Sequence, residues 1–138
     1  MTTDGGLRPL FRQQLQQWQW TPVETAFSAS GVPDSEFCTP LGISGWVEFK
    51  KTHVWYVQIK PFQVAWLMRR CRYGGNAWIA VRQIRQMTDS LWLMKGDQAE
   101  ALHYHGLNGV EAWCWEGGPS RWNFTEIGNM LSRFTSLG

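Results

Sequence analysis

Between Gly31 and Lys50 the chain carries an aspartate and, after thirteen intervening residues, a glutamate and a lysine one residue apart: Asp34, Glu48 and Lys50. If Trp46-Val47-Glu48-Phe49-Lys50 is a strand, its side chains alternate. Val47 and Phe49 then point one way, Glu48 and Lys50 the other. A hairpin centred on Leu41 sets Cys38 opposite Ser44, Glu36 opposite Trp46 and Asp34 opposite Glu48. In that register the Cβ atoms of the two acids stand about 5 Å apart on one face. Carboxylates that close repel, and one of them rises in pKa unless a cation intervenes. A hard, oxygen-seeking ion such as Mg²⁺ answers that need, with Lys50 as a third polar group beside it. Such a set can polarise a phosphodiester, orient an attacking water and neutralise developing charge. The ammonium can hold or help deprotonate that water and steady the transition state. The plainer alternative is a turn-capping Asp34 beside an exposed Glu48/Lys50 strand face, a common and energetically minor arrangement.

The surrounding elements must put those groups in place. Leu7, Leu10, Phe11, Leu15 and Trp18 recur at spacings of three and four and predict a helix over about 7–19, ended by Thr21-Pro22. Val23–Phe27 and Gly31–Phe37 read as strands, the second with Pro33 near its start. Ile43–Lys50 reads as a strand paired back on it. Lys60–Tyr73 is a helix with Pro61 at its first position, stopped by Gly74-Gly75. The apolar run Ala77–Val81 fits a strand covered on both faces. Beyond it come a strand at Leu91–Met94, a helix around Gln98–Tyr104, a strand at Glu111–Trp115 and a helix from about Asn123 to Phe134. The order αβββαβ through residue 84 predicts an α/β fold with a mixed central sheet flanked by helices and a C-terminal α/β extension.

Length and composition bound the possibilities. A chain of 138 residues with 43% hydrophobic residues predicts one domain over 1–138 and an ordinary core. No apolar run approaches the ~20 residues of a membrane helix, and the polar start Met1–Gly6 is not a signal peptide, so a soluble cytoplasmic protein is expected. A net charge of +2 announces no nucleic-acid binder by itself; local clustering must carry such a role. Cys38, Cys71 and Cys114 are too far apart for a metal knuckle and read as reduced, buried small residues. No Walker loop, dinucleotide fingerprint or nucleophile elbow occurs, which argues against a nucleotide cofactor.

The segment SGVPD, thirteen residues, then the EFK of GWVEFK resembles the PD-(D/E)xK nuclease signature, and the element order resembles the restriction-endonuclease-like core. More narrowly, these motifs followed by a proline-led helix carrying Gln63 resemble the VRR-NUC type, small phage endonucleases and Holliday-junction resolvases. The likeness covers about residues 7–85 and leaves the extension, about 86–138, unassigned. It implies that Asp34 and Glu48 bind the metal and that Lys50 serves the water or the transition state. Glu24 occupies the place of an additional acid, catalytic and metal-binding, and Gln63 that of a helical glutamine directed at the site. Phe49 departs from the usual aliphatic residue between the acid and the lysine.

The implied function is a Mg²⁺-dependent endodeoxyribonuclease, with Mn²⁺ able to substitute, acting as a homodimer on branched DNA. The alternatives are a nicking nuclease for linear duplex or single strands from a phage or mobile element, and a non-catalytic DNA-binding or assembly module on the same fold. Arg69, Arg70 and Arg72 crowd the end of the Gln63 helix, with Arg82 and Arg85 soon after, and form a candidate phosphate track. Ser30 and Lys51 flank the motif as further DNA-binding candidates, although alternation turns Lys51 away from Lys50. His103 and His105 lie on the predicted helix, where they diverge by about 200°, and do not form a metal site. Trp66, Trp78 and Trp92 fit core positions. Trp113 and Trp115 share one face of a strand, free to stack on bases or fill a dimer interface.

Overall fold

The structure, a computed structural model, describes residues 3–23 and 31–133. Among these residues four α-helices and six strands follow one another as α1 (Leu7–Gln14), β1 (Gln19–Pro22), β2 (Ser35–Cys38), β3 (Ser44–Thr52), α2 (Pro61–Arg72), β4 (Ala77–Arg85), β5 (Thr88–Lys95), α3 (Ala99–His105), β6 (Trp113–Trp115) and α4 (Phe124–Ser132). The strands form one mixed sheet in sequence order, β1 to β6. Every neighbouring pair is antiparallel except β3 and β4. Parallel neighbours need a crossover connection, and α2 supplies it.

The β2–β3 register matches the expectation: Glu36 lies opposite Trp46 and Cys38 opposite Ser44. Strand alternation then divides the sheet's side chains between two apolar layers. Phe37, Val47, Phe49, Trp78, Ala80, Leu91 and Leu93 pack with Leu7 and Phe11 of α1 and with Phe124, Ile127 and Leu131 of α4. Ile79, Val81 and Met94 pack on the opposite side with Leu67 of α2 and with Ala99 and Leu102 of α3. Glu48 and Lys50, one residue off Val47 and Phe49, therefore belong to the α2 layer. The first layer is rich in aromatic edges: Phe11 meets Phe49, Phe124 and Trp20 at centroid distances of 5.0, 5.2 and 6.3 Å.

Several boundaries differ from the sequence reading. Helix α1 ends at Gln14 rather than near 19, and Thr21-Pro22, read as a terminator, lies within β1. Pro22 is tolerated there because β1 is the edge strand and needs no inward-directed N–H at every position. Trp18 joins the core from the turn after α1, its ring 6.0 Å from that of Trp20 and 5.1 Å from that of Phe37. The strand expected at Val23–Phe27 lies almost wholly outside the described residues. Strand β2 begins at Ser35, so Gly31–Asp34 forms a loop. The cysteines are less enclosed than expected: Cys38 and Cys71 are half-buried and Cys114 is exposed, all three unbridged. Among the described residues, no helix is long and apolar enough to cross a membrane.

Candidate active site

Strands β2 and β3 diverge just beyond their first ladder pair, Ser35 with Val47. At that fork each acid accepts a backbone N–H from the opposite segment. The Phe49 N–H donates to Asp34 Oδ2 at 3.0 Å, and the Asp34 N–H donates to Glu48 Oε1 at 3.0 Å. The Asp34 carbonyl in turn accepts from the Val23 N–H at 2.8 Å, tying the loop to the end of β1. Gly31 makes the loop's tight approach possible. Its φ is +78°, which disfavours other residues, and a Cβ there would overlap the Phe62 carbonyl in the first turn of α2. The loop bearing Asp34 is thereby seated against the helix bearing Gln63.

Gln63 joins the other charged groups. Its Nε2 donates to Glu48 Oε2 at 2.8 Å, while its Oε1 accepts from Lys50 Nζ at 2.9 Å and from the Lys60 N–H at 3.0 Å. The last of these bonds satisfies a backbone donor at the start of α2. Lys50 Nζ lies 3.6 Å from Glu48 Oε2. Asp34, Glu48, Lys50 and Gln63 thus form one connected polar group between the sheet and α2.

Glu48 is 2% exposed. Burial, followed by the negative charge of Asp34, pushes its carboxyl from an ordinary 4.5 up to about 8, although the Lys50 ammonium pulls the other way. A side-chain hydrogen bond with Asp34 also favours the protonated form. Near neutrality and without a metal, Glu48 is therefore largely protonated beside Asp34. A divalent cation taking the proton's place would face a donor set of hard oxygen atoms, the type Mg²⁺ and Mn²⁺ prefer. Among the described residues no cluster of three or more His, Cys, Asp or Glu forms a metal site, so the site's described acids are these two. Glu24, the expected additional acid, lies outside the described residues, as does Ser30.

The arginine cluster divides when folded. Arg70 lies with its guanidinium carbon 4.4 Å from the ring centroid of Trp66 and 5.5 Å from that of Trp46, on the side of the sheet that carries Glu48. Arg69 pairs instead with Tyr73, its Nε donating to the phenol oxygen at 3.1 Å, and Arg72 is exposed. Arg82 does not extend this track. It lies on the α1 side, bound bidentately to Asp89 at 2.9 and 2.6 Å and donating to the Gly5 carbonyl at 2.8 Å. Arg85 rests over Trp55. Lys51 also turns to the α1 side, close to where a Gly5 side chain would stand. His103 Nδ1 bonds the Ile59 carbonyl at 3.0 Å and His105 is exposed.

Of the tryptophans read as core, Trp78 is buried, whereas Trp66 and Trp92 are half-buried. Trp113 is 47% exposed, while Trp115 packs against the α1/α4 core. Two features of the site escaped the sequence reading. One is the seat that Gly31 makes on α2, of which the only sign was a glycine three residues before the aspartate. The other is Trp46, which shares the Glu48 and Lys50 face by the same alternation that identified those residues. No protein-family model, no curated protein and no solved structure matches this chain.

Proposed function

We propose that this protein is a Mg²⁺-dependent endodeoxyribonuclease with a PD-(D/E)xK-type site on a restriction-endonuclease-like core. The observation that carries the reading is the meeting of the two acids at the β2–β3 fork, the Asp34 N–H donating to Glu48 Oε1 and the Phe49 N–H to Asp34 Oδ2, with Lys50 and Gln63 bonded into the same group. A buried acid kept largely neutral beside a second acid is poorly suited to a purely structural role, and sites of chemistry are where such perturbation collects.

In hydrolysis, an oxygen–phosphorus bond to water forms as an ester oxygen–phosphorus bond breaks, leaving a phosphate monoester and a hydroxyl. Asp34 and Glu48 would hold the ion, their backbone bonds fixing both carboxylates before substrate arrives. Mg²⁺ bound there supplies concentrated positive charge that draws electron density from the phosphoryl oxygens. Lys50, kept over the acids by Gln63, donates a hydrogen bond to the attacking water or to a non-bridging phosphoryl oxygen as negative charge builds. Gln63 sets the direction of the ammonium and holds Glu48 in place.

Branched DNA is the proposed substrate and a homodimer the proposed active form, with paired sites nicking symmetric strands of a four-way junction. The purified chain should cut a labelled junction in Mg²⁺, lose that activity in chelator, and lose about 100-fold or more in the Asp34→Ala variant. Cleavage of matched linear duplex at the same salt concentration and equal rate would favour the general nicking enzyme. No cleavage of any DNA, or equal cleavage by Asp34→Ala, would leave a binding module.

A further inference from the structure

Helix α2 crosses β3 so that Gln63 stands over Glu48 and Lys50, while Trp66 stands over Trp46 with ring centroids 5.4 Å apart. Gln63, Trp66 and Arg70 follow at spacings of three and four, a single stripe along the helix. Arg70 ends that stripe. Its guanidinium lies against both indoles, and its aliphatic stem crosses Gly75, where a Cβ would collide with Arg70 Cδ. The Gly75 N–H donates to the Arg70 carbonyl at 2.8 Å, so the glycine also secures the residue's backbone.

No carboxylate among the described residues pairs with Arg70, in contrast to Arg82. A guanidinium held against two aromatic rings has lost much of its freedom and keeps N–H donors for an anion. Trp46 and Glu48 are two residues apart on one face of a strand, about 7 Å. Glu36, opposite Trp46, is the nearest acid in the sheet register and sets a limit on how much anion this end of the site accepts.

We propose that Arg70, clasped by Trp46 and Trp66, is a subsite for a backbone phosphate of the DNA strand next to the phosphate at the acids. This inference rests on the nuclease reading and adds to it a fixed second contact that sets where along the strand the cut falls. Single-stranded and duplex ends both present such a phosphate; the subsite reads charge and spacing rather than base identity.

Binding of a fluorescein-labelled oligothymidylate, followed by anisotropy in chelator across a salt series, tests it without any turnover. Arg70→Ala should weaken binding about tenfold and flatten the log–log salt slope by about 0.7, as expected on losing one phosphate contact on a single strand. Arg12→Ala removes an equal charge from α1 on the far side of the sheet and should change neither quantity. Arg70→Met keeps the stem across Gly75 and the contact with Trp66, so it should fold normally and reproduce the Arg70→Ala result. Cut positions on an end-labelled junction should also spread in Arg70→Met.

If Arg70→Met binds with parental affinity and slope while Asp34→Ala still abolishes cleavage, the subsite is wrong and the nuclease reading survives. If Arg70→Met loses the contact but cleavage ignores Asp34→Ala, the nuclease reading fails and a nucleic-acid surface remains.

Discussion

Two groups of charged side chains lie on opposite sides of the same sheet, and they are built differently. On the α1 side Arg82 meets Asp89 in a bidentate pair, with Gly5 accepting a third bond and the Trp122 ring 5.5 Å from the guanidinium carbon. One positive charge answers one negative charge, and the hydrogen bond to Asp89 is the main reason the guanidinium holds its proton more firmly still. On the α2 side two acids stand beside one ammonium, which lies 3.6 Å from Glu48 Oε2, and burial together with the Asp34 charge favours a proton on Glu48. The first group is closed and gains nothing from a further ion. The second keeps an excess of negative charge, which under the proposed reading a cation would answer.

The sharpest way to break that contrast is to remove a member of each group. Glu48→Gln should reduce Mg²⁺-dependent cleavage by about 100-fold or more while leaving the fold intact, because an amide replaces a carboxyl that is already neutral near pH 7. Asp89→Ala should do the reverse. It strands Arg82 and should lower stability by about 2 kcal/mol in denaturant unfolding, without changing activity per folded molecule. Comparable losses of activity from both variants would erase the distinction.

Gly31→Ala comes next. The added methyl overlaps the Phe62 carbonyl at a backbone angle unfavourable to alanine, so stability should fall by about 2 kcal/mol and the Asp34 loop should leave its seat on α2. Calorimetric titration with Mn²⁺ should show the affinity falling with it.

The pH dependence of stability sharpens the comparison further. Glu48 takes up its proton near 4.5 when unfolded and near 8 when folded, so between those values the native state binds the extra proton. Its contribution is therefore full below about pH 4.5 and is lost as pH rises through about 8. In chelator the melting temperature should drop by several degrees between about pH 5 and pH 8, and the slope should be shallower in Glu48→Gln. Mg²⁺ competes with that proton, so its stabilising effect should grow over the same interval. A melting temperature insensitive to both would show that Glu48 is not the group described. The smallest effect belongs to Lys51→Ala, which should leave cleavage within about twofold because the side chain lies across the sheet from the acids.

The parts that could be read from residue order were those governed by period two. Placing the turn at Leu41 was enough to set the β2–β3 register, and with it the meeting of Asp34 and Glu48. The same rule would have separated Arg82 from Arg85, since residues three apart in a strand point to opposite faces. Grouping them with Arg69, Arg70 and Arg72 followed nearness in the chain, which a helix-to-strand boundary does not respect. The end of α1 was obscured because Trp18 continues the helical spacing yet reaches the core from a turn, a tertiary contact that periodicity cannot distinguish from helix. Gln63 was identified through its place in the resemblance. Its bonds to Glu48, Lys50 and the Lys60 amide depend on how α2 sits on β3, which no local pattern specifies.

Phe49 ties the aromatic layer to the acids. Its ring lies in the cluster with Phe11 and Phe124, and its amide holds the Asp34 carboxylate on the other side of the same strand. The sheet is in effect a party wall, and alterations in one room shift fittings in the next. A saturation screen for activity should therefore find sensitive positions on α1 and α4, across the sheet from the acids, where swapping one ring for another shifts the carboxylate. Anyone wishing to retune this protein has an indirect handle there, one that leaves every charged residue of the site untouched.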